Sequence, residues 1–188
     1  MPNFADFDPE NPKVRVFLER HFPDSPSQVL PRIESGPVGM CYGNVRHKVQ
    51  REGGSGVTGF LILMIPGYLI EAMHHAVWRK QDGSLADVTI PAYPGLSAQR
   101  PALFVLDGGE VQPHDPAVPS RFHAFSKHPA VLDYIRIARD RRLAFQELEA
   151  TGTRQADGSF FTFDGELMQR INVLNSRLTP ALQRLLRL

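Results

Sequence analysis

The chain is poor in several features that would have fixed its class at once. It has a single cysteine in 188 residues, which excludes an internal disulfide, and a reduced cytoplasmic setting is expected. Its 21 Lys and Arg nearly cancel 20 Asp and Glu, leaving +1. Net charge therefore offers no ground for expecting nucleic acid or a membrane surface as partner. The longest apolar run, Phe60 to Pro66, is too short to cross a bilayer, so no membrane partner is expected. Residues Met1 to Asp6 are acidic and show neither a basic nor an apolar leader region, so no signal peptide is expected. There is no internal repeat and no low-complexity tract. No Cys-x-x-Cys or His-Glu-x-x-His spacing occurs, and a ligand set of Cys41, His47 and His74 or His75 lacks any such support. Neither a metal nor a cofactor is expected.

What is present suits one domain over residues 1–188 with a sizeable core. Residues 1–30 read as an N-terminal helix and linker, with Asn11 capping and Pro12 at the first helical position. Residues 31–112 form a core that carries the chemistry, and residues 113–188 a loop followed by C-terminal helices. Within the core, Cys41 to about Arg51 has helical spacing and follows a glycine-containing approach, Gly36 to Met40. The glycine-rich stretch Arg51 to Gly59 reads as a turn, since no Gly-Lys-Ser/Thr follows it. Gly59 to Ile65 reads as a central strand and Tyr68 to Arg79 as its neighbour. Pro91–Arg100 and Val111–Pro129 read as loops, with a short strand from Ala102 to Leu106 ended by Asp107-Gly108-Gly109. A helix is expected between Pro129 and Gly152, a second capped by Asp164, and a short third restarting at Thr179-Pro180. The fold class expected is α+β, an antiparallel sheet with the cysteine-bearing helix packed on it.

The chemistry concentrates in Cys41 and in the hairpin Glu71 to Thr89. A thiol nucleophile needs a base and a carboxylate to orient that base, and Cys41, His75 and Asp87 supply these in chain order. Adjacent strand residues face opposite ways, so His74 and His75 are not expected to serve one site. His75 shares its face with Glu71, Met73 and Val77, and Glu71 is expected to be a surface or rim group. Turn register decides whether Asp87 joins His75. A two-residue Asp82-Gly83 turn pairs Lys80 with Leu85 and sends Asp87 to the wrong face. A three-residue loop with Gly83 in the left-handed bulge position pairs Lys80 with Ser84 and brings Asp87 opposite Val77, diagonal to His75 at roughly 7–8 Å between Cα atoms. The triad therefore predicts the bulged turn.

Cysteine on a helix after a glycine-containing loop, then His75-Ala76-Val77-Trp78 on a strand and Asp87-Val88-Thr89 on the next, resembles the transglutaminase-like branch of the papain-like cysteine hydrolases. The likeness spans residues 36–90. It implies a papain- or transglutaminase-like fold and thiol-dependent acyl chemistry, as in a protease, amidase or acyltransferase, on a peptide, protein or small amide or ester. Cys41, His75 and Asp87 are the matching positions. The Cys41 N–H, with Asn44, is the expected oxyanion or substrate contact, Asn44 being placed to bond either a substrate or simply the local backbone, and Gln28 is a remote candidate because no glutamine closely precedes Cys41. The alternative is a non-catalytic interaction protein on the same scaffold. It would use a basic helical surface of Arg136, Arg139, Arg141, Arg142, Arg177, Arg184 and Arg187.

Overall fold

The apolar run at 59–65 becomes the centre of the sheet. In the computed structural model, which describes residues 11–33, 36–91, 101–112, 116–154, 160–161 and 164–188, β2 (Ser55–Ile65) is buried from Val57 onward. It pairs antiparallel with β3 (Leu69–Arg79) on one side and with β5 (Ala102–Glu110) on the other. β1 (Ser27–Leu30) extends the β5 edge. Two short strands, β4 (Leu85–Ala86) and β6 (Arg121–Ala124), pair with separate parts of β3. The result is a six-stranded antiparallel sheet in an α+β protein.

Strand alternation sends the two sets of side chains to two cores. Leu61, Leu63, Ile65 and Leu69 face α3 (Pro129–Thr151) and α4 (Gly165–Leu185). Phe60, Ile62, Met64, Ile70 and Ala72 face α1 (Pro12–His21). On that second face, α2 (Cys41–Glu52) lays Tyr42 and Val45 against Ala76, Trp78, Ala86 and Val88. A pair of two-residue strands, β7 (Thr153–Arg154) and β8 (Phe160–Phe161), follows α3. Among the described residues no helix is long and apolar enough to cross a membrane.

Local signals placed the helix starts well. The Asn11 side chain accepts from Lys13 N at 3.0 Å, and Asp164 Oδ1 accepts from Leu167 N at 2.8 Å. Each satisfies a first-turn donor that lacks an intrahelical partner.

Several expectations need correction. The glycine-rich stretch is not all turn, because β2 already begins at Ser55. Gly59 is in the strand because β5 comes close: a Cβ there would lie 2.1 Å from Val105 O and 2.6 Å from Phe104 Cζ. Asp107-Gly108-Gly109 does not end its strand either. Val57 pairs with Glu110 and Gly59 with Leu106, so the three residues form a bulge inside β5, with Gly108 at φ 80°. β1 and β6 lie in segments read as linker and loop, so the sheet draws strands from outside 31–112. Four-residue edge strands are too short to show a period. Finally, α4 runs unbroken through Pro180. Leu167, Ile171, Leu174, Ala181 and Leu185 form one buried stripe, and its burial outweighs the roughly 3 kcal/mol that an interior proline costs. The expected loop Pro91–Arg100 falls, Pro91 aside, outside the described residues, as do residues 1–10.

Candidate active site

The open edge of β3 sets up the site. β6 covers Leu69–Ala72 and β4 covers Trp78 and Arg79, so Met73 to Val77 carry no strand partner on that edge among the described residues. His74 and His75 stand in this gap. A cavity of about 450 Å³ is bounded there by Met73, His74 and His75 together with Cys41, Tyr42 and Thr89.

The hairpin has the bulged turn. Lys80 N donates to Ser84 O at 2.9 Å, Gly83 sits at φ 83°, and Arg79 pairs with Leu85. Beyond Ala86 the chain leaves β3, and Asp87 bridges to Arg32 instead: Asp87 N donates to Pro31 O and Ile33 N to Asp87 O. This fixes the carboxylate from both sides. His75 Nε2 lies 2.9 Å from Asp87 Oδ1, which also accepts from Thr89 N at 3.1 Å. The second oxygen, Oδ2, meets Arg32 Nε at 3.4 Å. A carboxylate can only accept, so Nε2 carries the proton and Nδ1 is the ring's other pole.

Cys41 is the first residue of α2 and half-buried on the cavity wall. First-turn N–H groups lack intrahelical partners, and the N-terminal end of the helix dipole favours negative charge. His75 Nδ1 is buried without a hydrogen-bond partner of ordinary geometry, while the Cys41 thiol couples to the ring through charge and a weaker hydrogen bond. Burial, the largest single influence, would lower the His75 pKa. The charges of Asp87 and Cys41 and the hydrogen bonds to both outweigh it and push the ring up to about 10. For Asp87, burial acts upward, but the His75 charge and hydrogen bond, with Arg32 and the Thr89 N–H, hold the carboxyl below its ordinary range.

His74 departs from expectation. It does point away from His75, stacking edge-on against Phe60 with centroids 5.1 Å apart. Because the β3 edge is open, both rings nevertheless border the same cavity. His74 has its own carboxylate: Nε2 lies 2.8 Å from Asp107 Oδ2, and Tyr42 OH bonds Nδ1. Thr58 Oγ1 donates to Asp107 Oδ1 at 2.8 Å and Gly109 N at 2.9 Å, so the β5 bulge aims this carboxylate. Burial lowers the His74 pKa against the opposing pull of Asp107, which keeps this ring neutral near pH 7. With Nε2–H donating to Asp107, Nδ1 accepts from the Tyr42 hydroxyl. No local sequence signal announced this second pair, whose carboxylate is 33 residues from its histidine.

Three further candidates lie off the cavity wall. Asn44 is buried and donates Nδ2 to Pro37 O at 2.9 Å, bracing the approach to Cys41 rather than lining the cavity. Gln28 is exposed on β1 opposite Phe104 and is not part of the cavity wall. Glu71 is no rim group: it is 3% exposed, accepts from Tyr134 OH at 2.8 Å, and burial raises its pKa. Its position opposite α3 could not be read from the strand alone.

The basic surface of the alternative reading is interrupted at several positions. Asp133 bonds both Arg136 and Arg184, Arg139 covers the Phe122 ring, and Arg141 and Arg142 turn to the cavity. Among the described residues no group of three His, Cys, Asp or Glu side chains is placed to hold a metal ion. No family model, curated protein or solved structure matches the chain.

Proposed function

We propose that the protein performs thiol-dependent acyl chemistry on an amide or ester, with Cys41 as nucleophile, His75 as base and Asp87 as the group that orients and charges His75. One observation carries the reading. Among the described residues only two buried side-chain N or O atoms lack a hydrogen-bond partner of ordinary geometry, His75 Nδ1 and Thr89 Oγ1, and both residues line the cavity that contains Cys41. Buried polar atoms left unpaired are costly, and they concentrate where a ligand or a reacting group supplies the partner.

At neutral pH the Cys41 proton rests on His75, giving a thiolate–imidazolium pair held by Asp87 before substrate arrives. The thiolate attacks the acyl carbon, and the carbonyl electron pair moves onto oxygen. First-turn N–H groups of α2, at the positive end of its dipole, are the donors proposed for that oxyanion. Collapse breaks the bond to the amine or alcohol, which leaves with the proton from His75. Water or an amine, deprotonated by the same ring, then attacks acyl-Cys41 and releases the thiol. A neutral His74, bonded to the Tyr42 hydroxyl, adds no charge to compete with His75.

The test is alkylation with iodoacetamide at pH 6, read by intact mass. Cys41 should react on the order of tenfold or more faster than glutathione, and Cys41→Ser should not be labelled. A Cys41 no more reactive than glutathione at this pH ends the proposal.

A further inference from the structure

The cavity wall contributed by α3 carries a charge that the proposed acyl chemistry does not use. Arg142, Phe145 and Glu149 recur at three and four residues and so share one face of the helix, and all three border the cavity. The carboxylates around that wall are engaged. Glu149 Oε1 accepts from Ala117 N at 3.0 Å, and Glu71 Oε2 accepts from Tyr134 OH. Asp87 is held between His75 and Arg32. Arg142 is half-buried and has no hydrogen-bond or ion-pair partner among the described residues. Its charge is felt by Glu71 and His74 without bonding either. A guanidinium presents a planar fork of donors that matches a carboxylate, and partial burial strengthens such a pair by excluding water. Phe145, Met73 and Leu61 supply apolar wall beside it.

We propose that the cavity selects acyl substrates bearing a carboxylate, which Arg142 binds while the acyl carbon lies at Cys41. This deepens the thiol-acyl reading and rests on it.

The experiment uses alkylating probes with a carboxylate at increasing reach: N-iodoacetyl-glycine, N-iodoacetyl-β-alanine and N-iodoacetyl-γ-aminobutyrate, each against its neutral carboxamide. For at least one length the wild-type protein should prefer the carboxylate. In a folded Arg142→Gln variant that preference should fall about tenfold, with Arg142→Lys between the two. His75 is unchanged in both variants, so its charge does not confuse the comparison. A preference that is missing in the wild type, or equal in Arg142→Gln, overturns the proposal. Thermal-shift titration with glutarate against glutaramide reads the same selectivity without the sulfur. If no probe labels Cys41 faster than glutathione, the nucleophile reading fails, and the titration alone then decides: stabilisation by glutarate that is lost in Arg142→Gln supports the anion site, and its absence removes it.

Discussion

Replacing Asp87 with asparagine keeps the shape and an acceptor oxygen for His75 Nε2 while deleting one charge. At an effective dielectric of about 20, unit charges 2.9 Å apart attract by about 6 kcal/mol. One pKa unit corresponds to about 1.4 kcal/mol, so this attraction is worth roughly four units. Subtracting it from a ring held at about 10 brings His75 to about 6 or below, because burial then prevails. Below its own pKa the wild-type ring stays charged and sustains the thiolate at neutral and mildly acidic pH; in Asp87→Asn it does not. Iodoacetamide labelling of Cys41, followed by mass from pH 5 to 10, should be at least about tenfold slower in the variant near pH 6, with the two curves converging near pH 10.

Stability moves as well. Arg32, 3% exposed at its side chain, loses a charged contact 3.4 Å away, which should cost about 1–3 kcal/mol, so circular dichroism must accompany each rate. The linkage has a definite sign. His75 has a raised folded pKa, so its contribution is complete below pH 6.5 and is lost as pH rises toward about 10. Asp87 has a lowered one, so its contribution is present above pH 3.8 and is lost on acidification through the folded value. Wild-type stability should fall on both flanks, and Asp87→Asn should flatten them. A folded Asp87→Asn protein that labels at the wild-type rate at pH 6 would refute the assignment of Asp87 as the source of the imidazolium.

Two other substitutions probe what surrounds the site. Glu71 has a raised folded pKa, so the native state holds its proton more tightly and the residue's contribution to stability declines as pH rises above 4.5. Glu71→Gln still accepts from Tyr134 OH, and in urea titrations it should gain stability over the wild type at pH 8 and lose that advantage toward pH 4; an advantage independent of pH would contradict the buried acid. Gly59→Ala drives a methyl into Val105 O and should destabilise the β2–β5 contact by about 3 kcal/mol or prevent folding, seen as a lowered urea midpoint. A wild-type midpoint there would mean that β5 does not approach so closely.

Short-range chemistry was legible and long-range placement was not. The caps Asn11 and Asp164, the apolar run of β2 and the glycine that shapes the 80–84 turn act within a few residues, so their consequences can be read along the chain. Turn chemistry left two registers open, and the structure adopts the one that puts Asp87 on the His75 side. Failures began where a residue's role depends on a segment far away. β1 and β6 exist because other strands offer them an edge, α4 continues through Pro180 because α3 buries its stripe, and Glu71 is interior because Tyr134 lies over it. The sequence by itself determined the order and types of the candidate groups and narrowed the hairpin to two turns, because Asp82-Gly83 fits both. Only the tertiary structure decided that β4 and β6 leave β3 uncovered at Met73–Val77, and that opening, a matter of which strands reach which edge, puts His74 and Arg142 around the same cavity as Cys41.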